Sequence, residues 1–411
     1  MLKFRNALIS IRELGTERLR LLGVVTGGHF AIHWFQQLFP VVLPSVKAGL
    51  GLSDVQIGAL ASARQMTQGT LNLPSGILAD SLVRYRAVIM TSALVFMGVA
   101  YLLLGLAPAF VWALLGAGLV GLGSAVWHPA AVASLSNRFP ERRATALSVH
   151  GMGATLSDTV TPLVVGALLL TFPWQAVLKL QIVPALLMGL LVWLGLLGFF
   201  AGVGSQSSSS TQIREIGKLV RNPVFLGVSA ARGLMQMGRL VILTFLPIYL
   251  QEHLGYSSFV LGFYITLLHG MGTVSQPVLG FLSDRFGRKV VLLPSFLTLG
   301  LLYLLLGVAA PGIQLGLVIT AIGLFFYTLM NIANVAVMDV AGSKIQASSY
   351  GLTSLVTQIL VLPTPIVAGF LIGVYGIGSA FLLAGGLVLL AGLVVAPLRL
   401  YRGLEARRPG G

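Results

Sequence analysis

The sequence predicts an all-α integral membrane protein, with twelve transmembrane helices in two pseudo-symmetric six-helix bundles. Three observations carry this. Only 9% of the 411 residues are charged and 56% are hydrophobic, whereas soluble proteins keep about a quarter of their residues charged. The mean hydropathy is +0.93. Continuous apolar runs of roughly 20 residues, each enough to cross a hydrocarbon core of about 30 Å, recur along the chain. They lack the alternating polarity, in segments of about 10 residues, that a transmembrane β-barrel needs.

The chain opens with a charged segment, residues 1–20, expected to lie in the cytoplasm as an amphipathic helix on the membrane surface. No A-x-A-like cleavage site follows the first apolar run, so no signal peptide is expected. Polar, Gly and Pro punctuation then delimits spans at 21–46, 55–79, 86–107, 109–137, 144–171 and 175–203, the first bundle (21–203). Residues 204–222 form a Ser-rich polar linker. The second bundle, 223–398, has spans at 223–250, 257–281, 288–309, 313–339, 347–373 and 377–398, and residues 399–411 form a tail.

Basic residues give the orientation. With termini and linker on one side, that side collects nearly all Lys and Arg outside the spans, and the opposite loops hold only Lys47. The positive-inside rule places the termini in the cytoplasm of a cell whose plasma (inner) membrane holds the chain. The net charge of +15 is scattered over short interhelical segments, which argues against a nucleic-acid partner. There is no cysteine, hence no disulfide or thiolate site.

The halves echo each other. Gly76, Asp80 and Arg84 match Gly280, Asp284 and Arg288 at an offset of 204, and Gly123 and Gly151 match Gly323 and Gly351 at an offset of 200. Internal repeats of this kind are typical of secondary transporters. "GFLSDRFGRK" at 280–289 resembles the loop motif between the second and third helices of each half in the major facilitator superfamily. Gly280, Asp284, Arg285, Gly287, Arg288 and Lys289 complete it. "GILADSLVRYR" at 76–86 keeps Gly76, Asp80 and Arg84, with Ser81 and Val83 in place of the family's Arg and Gly. The glycines are expected to permit close helix approach, and the acid to meet a helix N-terminus and a nearby arginine. The resemblance implies a cytoplasmic latch that releases as the halves rock. Residues 128–169 resemble the helix 4 to helix 5 region of efflux-type members, including the branch related to fosmidomycin-resistance exporters, although Asp158 and Thr159 stand near the usual Gly-Pro pair. "GAGLVG" at 116–121 fits a dinucleotide motif by letter only, because it lies inside an apolar span. No Walker A sequence is present, so an ion gradient is the expected energy source.

Ionisable groups at mid-membrane cost about 2.5–3.5 kcal/mol each on insertion scales, so they should face a wet cavity or pair with one another. Arg64 lies about 15 Å into its span and Arg232 about 16 Å into the seventh. Arg232, Gln236 and Arg239 share one helical face. With the bidentate fork that a guanidinium offers, these residues and Arg64 are the candidate substrate contacts. The competing expectation pairs Arg232 or Arg64 with Asp158. His29 and His33, four apart on one face of the first span, are candidate substrate or proton contacts. Asp158, His150 and His269 are the candidate proton-coupling groups. His128, beside Pro129, is expected near a helix end in a structural role, and His253 in an outer loop. A metal on His29 and His33 lacks an evident third ligand, so no metal site and no cofactor are expected. The resemblance implies that the first, second, fourth and fifth helices of each half line the cavity. Lys179, on the sixth, is expected to snorkel to the interface.

The function expected is alternating-access transport rather than an enzymatic activity. A monomer is expected to move a small, anionic organic solute by proton-coupled efflux (antiport). Proton-coupled uptake of an organic anion is the alternative, and a non-transporting membrane sensor on the same fold the remote one.

Overall fold

A computed structural model describes residues 15–200, 221–341 and 346–400. All of the expected linker but residues 221–222, most of the N-terminal segment and nearly all of the tail lie outside the described residues.

Fifteen helices are described. The first half holds α1 (Gly15–Leu50), α2 (Asp54–Ser81), α3 (Arg86–Gly105), α4 (Phe110–Arg138), α5 (Arg143–Thr171), α6 (Trp174–Leu180) and α7 (Ile182–Leu196). The second holds α8 (Pro223–Ile248), α9 (Ser258–Phe286), α10 (Arg288–Leu305), α11 (Ile313–Phe326), α12 (Thr328–Ala341), α13 (Gln346–Val361), α14 (Thr364–Tyr375) and α15 (Gly378–Val395). Three expected spans are each built from two helices. The sixth breaks at Gln181, the tenth at Tyr327 and the eleventh at Leu362–Pro363.

Ten segments are long and apolar enough to cross a membrane by length and composition. The other two of the twelve expected are α1 and α2, of 36 and 28 residues. They fall short because they carry the charges and glutamines of the site described below. Leu187, Leu190, Leu191 and Leu194 on α7 are each more than half exposed, an apolar face suited to lipid.

The described ends correct two boundaries. α1 starts at Gly15, so residues 15–20 continue into the first span and are not a separate surface segment. The sixth span ends at Leu196 rather than 203, because Gly198 takes a φ of +72° that stops the helix.

Within each half, α1 packs on α5, α2 on α4, α3 on α7, α8 on α13 and α15, α9 on α11, and α10 on α15. The halves meet where α5 crosses α9 and α2 crosses α14. These two crossings repeat each other. A Cβ on Gly58 would lie 2.1 Å from the Pro365 carbonyl oxygen, and one on Gly262 would lie 2.2 Å from that of Pro162. The positions correspond at offsets of 204 and 203. One turn further along, Ser62 Oγ donates to Leu362 O at 2.7 Å, and Thr266 Oγ1 donates to Thr159 O at 2.8 Å, again at equivalent positions. Small residues admit this backbone-to-backbone approach, where dispersion and polar contacts replace a hydrophobic driving force.

Both crossings lie toward the Lys47 end. Lys47 Nζ bridges Asp54 Oδ1 at 2.7 Å and Glu252 Oε2, in the other half, at 2.6 Å. Lys47 is therefore part of a link between the halves and not a lone loop charge. Burial opposes its charge, but the hydrogen bonds and charges of Asp54 and Glu252 outweigh that and raise its pKa. Toward the opposite end, a Cβ on Gly76 would meet only Pro129 Cβ of its own half, at 3.9 Å, and one on Gly280 nothing within 4 Å. Among the described residues, the close approach expected at these glycines is absent in this conformation, and the close contacts between the halves gather at the Lys47 end.

Candidate functional site

Between the halves lies a cavity of about 160 Å³ whose polar lining includes Gln36, Gln37, Arg64, Gln65, Gln236 and Arg239. α1 and α2 supply one wall and α8 the other. The Arg64 guanidinium lies 5.2 Å from the Phe39 ring centroid. That of Arg239 lies 4.5 Å from the Phe326 ring and 5.3 Å from the Tyr327 ring. Gln236 Oε1 accepts from Arg239 at a long 3.5 Å. Among the described residues neither arginine forms a salt bridge with a carboxylate, and the Nε of each is buried without a hydrogen-bond partner. Two unpaired cations therefore face one chamber from opposite halves.

Asp158, on α5, is buried at 2% exposure. Its Oδ1 accepts from His33 Nδ1 at 2.8 Å and from Gln37 Nε2 at 3.1 Å, and its Oδ2 accepts from the Tyr327 hydroxyl at 2.6 Å. Tyr327 sits at the break between α11 and α12 in the second half, and its oxygen accepts in turn from His269 Nδ1. The chain His33–Asp158–Tyr327–His269 thus runs from one half into the other. Interrupted helices place irregular backbone where it lines a site.

The other histidines gather beside His33. His29 and His33 rings lie 4.6 Å apart, and His128 lies 5.3 and 5.7 Å from them. His150 stacks on His29 at 3.8 Å, with its planes 7° from parallel, and both its ring nitrogens are buried without partners. The structure places His128 ten residues inside α4, not near its end, because the helix runs unbroken through Pro129. His253 is exposed at the end of the π-turn Tyr249–His253, and Lys179 is exposed on α6.

Arg232 stands apart from the cavity lining. It is 6% exposed and donates to Asn334 Oδ1 and Thr357 Oγ1, each at 2.6 Å, which ties α8 to α12 and α13. The expected stripe is therefore divided: Gln236 and Arg239 face the cavity, and Arg232 faces its own bundle.

The sequence profile of the Major Facilitator Superfamily matches residues 25–363 and 231–410. The chain belongs to that superfamily. It is 24% identical over 352 residues to the MFS-type transporter YfnC of Bacillus subtilis, covering 84% of each chain. It is 24% identical over 209 residues to the fosmidomycin resistance protein of Escherichia coli, covering 51% of this chain and 50% of that one. Among solved structures, the nucleoside transporter NupG superposes with a TM-score of 0.78 at 16% identity, covering 92% of this chain and 99% of that one. A multi-pass membrane transporter of this superfamily is thereby shown.

The superfamily's loop motif can now be placed. Gly287 takes a φ of +107° between α9 and α10, a backbone that side chains other than glycine's rarely adopt. Arg288, first residue of α10, pairs with Asp284 and donates from Nε to Asp339 Oδ2 at 3.0 Å. These contacts join parts of the second half. Arg285 lies over the Phe286 ring, and Lys289 is partly buried. In the first half the side chain of Asp80 lies outside the described residues. Arg84 is exposed over the Tyr85 ring at 4.6 Å. The counterpart of Arg288 is Arg86, also the first residue of its helix and buried, with Nε donating to Ala79 O at 2.9 Å. The first loop is two residues longer, so the offset of 204 fails beyond Asp80.

Sequence reasoning missed Tyr327, Gln37 and Asn334. The glutamines carried a signal, since Gln36, Gln37, Gln65 and Gln68 are polar interruptions at helical spacing within two adjacent spans. Tyr327 carried little, set inside the apolar run "GLFFYTLM".

Proposed function

We propose that the protein exports a small organic anion in exchange for protons by alternating access, as a monomer in the plasma membrane with both termini cytoplasmic. The observation that carries this is the pair Arg64 and Arg239, one from each half, facing one cavity without a carboxylate partner. Uncompensated mid-membrane charge is expensive, and an anion accepting from both guanidiniums would relieve it while drawing the halves together. Gln36, Gln65, Gln68 and Gln236 supply further hydrogen bonds. The cavity is smaller than the roughly 300–1,000 Å³ of drug-sized sites, which favours a small solute.

Asp158 with His33 on one side and Tyr327 with His269 on the other are assigned the proton. As a carboxylate Asp158 accepts from three donors. Protonation forces one to yield, which ties its charge state to a contact spanning the halves. His29 and His150 support His33 from behind. Arg232 is a positioning residue for α8. The positive-inside rule makes the end opposite Lys47 cytoplasmic, so this conformation is inward-facing. The resistance protein among the relatives favours efflux over uptake.

Flux of organic anions into and out of proteoliposomes with an imposed pH gradient tests this. Wild-type protein should show gradient-driven anion flux that Arg64→Gln, Arg239→Gln and Asp158→Asn each abolish, with monodisperse protein retained. Unchanged anion flux in both arginine variants would overturn the proposal.

A further inference from the structure

His29, His33 and His128 each offer a ring nitrogen within 4.8 Å of the other two. In each ring the Nδ1 is already engaged with an oxygen at 2.8 Å: the His150 carbonyl for His29, Asp158 Oδ1 for His33, and the Ser124 carbonyl for His128. A neutral imidazole that donates through Nδ1 carries its lone pair on Nε2. All three rings are thus fixed in one tautomer, with Nε2 left as the acceptor. Metal-binding histidines have this outer arrangement, the second nitrogen donating to a carboxylate or backbone carbonyl that sets ring orientation and raises ligand basicity.

We infer that His29, His33 and His128 form a binding site for a divalent late first-row transition ion, zinc being the reference case. Three imidazoles suit zinc, copper, iron or nickel. Zn–N bonds of about 2.0–2.1 Å place tetrahedral nitrogens about 3.4 Å apart, against ring nitrogens within 4.8 Å of one another here, so small side-chain rotations bring the three rings onto one ion. His150 cannot join on the same side, because it lies parallel against His29. The fourth position stays open, as in zinc sites that exchange a water or a substrate group. The Asp158 carboxylate, bonded to His33, offsets part of the added charge. The sequence expectation of no metal rested on a missing third ligand, and α4 supplies it in His128. This site shares His33 with the proton-bearing chain proposed above, but its test requires no transport, so the two readings can fail separately.

Full-length protein, freed of any affinity tag and stripped with chelator in detergent micelles, is titrated with ZnCl2 by calorimetry. The wild type and His253→Gln should each take up one equivalent. His29→Gln and His128→Gln should each weaken binding by more than about tenfold, the scale on which even outer partners of a metal site act. Independently of any variant's folding, ZnCl2 should protect wild-type His29, His33 and His128 from diethyl pyrocarbonate, read by peptide mass, and leave His253 reactive. Absence of saturable zinc binding by the wild type, unchanged affinity in both ligand variants, or protection confined to His253 would overturn the inference.

Discussion

Replacing Gly58 by alanine would set a Cβ 2.1 Å from the Pro365 carbonyl oxygen, 2.6 Å from its carbon and 2.9 Å from the Ile366 nitrogen. All three are backbone atoms of a helix in the other half, so no side chain can swing aside. Restoring an ordinary contact of about 3.4 Å requires α2 and α14 to separate by about 1.3 Å. Forced overpacking of this kind costs about 1–3 kcal/mol. The penalty falls on the conformation joined at the Lys47 end, where Gly58 meets the other half, and is relieved as α2 and α14 separate. The equilibrium should move toward opening of that end by roughly five- to 150-fold. The chain has no cysteine, so Leu43→Cys provides a single reporter in the cavity wall. Its rate of labelling by a membrane-impermeant maleimide applied from the Lys47 side should rise by that factor in Gly58→Ala, and likewise in Gly262→Ala. Gly280→Ala, whose Cβ would meet nothing, serves as the control and should leave this conformation undisturbed. A rate in Gly58→Ala within twofold of the parent, in monodisperse protein, would refute the reasoning.

Arg64→Gln should weaken anion binding roughly ten- to hundredfold, the worth of a charged hydrogen bond, as read by calorimetry on a substrate anion found in the flux screen. Tyr327→Phe should lower proton-driven flux while anion affinity stays within about threefold, because it removes the hydroxyl on Asp158 and leaves the arginines in place. Lys47→Met should raise labelling from its side about two- to tenfold, a modest effect because the pair is partly exposed. The pH dependence follows in sign: the Lys47 pKa is raised, so its contribution is complete below the ordinary lysine value of about 10.4 and is lost as pH climbs through the higher folded value. Opening of that end, read from an environment-sensitive dye attached at neutral pH to Leu43→Cys, should therefore be flat near neutrality and increase only in strong alkali, a rise that Lys47→Met abolishes.

The architecture was legible because lipid imposes its demands residue by residue: apolar runs of fixed length, bases on one side, and a duplicated motif. Buried charge was legible for the same reason, and Arg64, Arg239 and Asp158 all sit between the halves. What depth and spacing could not supply was azimuth between separate helices. Arg232 and Arg239 are seven residues apart on one face, yet α8 presents the first to Asn334 and Thr357 and the second to the cavity. His128 looked peripheral because proline usually ends helices, whereas here α4 continues past Pro129. Tyr327 acquires its role from a helix break that no sequence breaker announces. The paired glycine crossings escaped notice too, since Gly58 and Gly262 are two among 50 glycines, and only tertiary contact distinguishes them.

Those crossings consist of main chain lying on main chain, with hydroxyl-to-carbonyl bonds beside them, while the central chamber is furnished by arginine and glutamine side chains. The tight crossings and the polar chamber are thus built from different atoms. Side-chain substitutions in the chamber therefore leave the main-chain packing at the crossings untouched, so the two features can vary separately along a lineage.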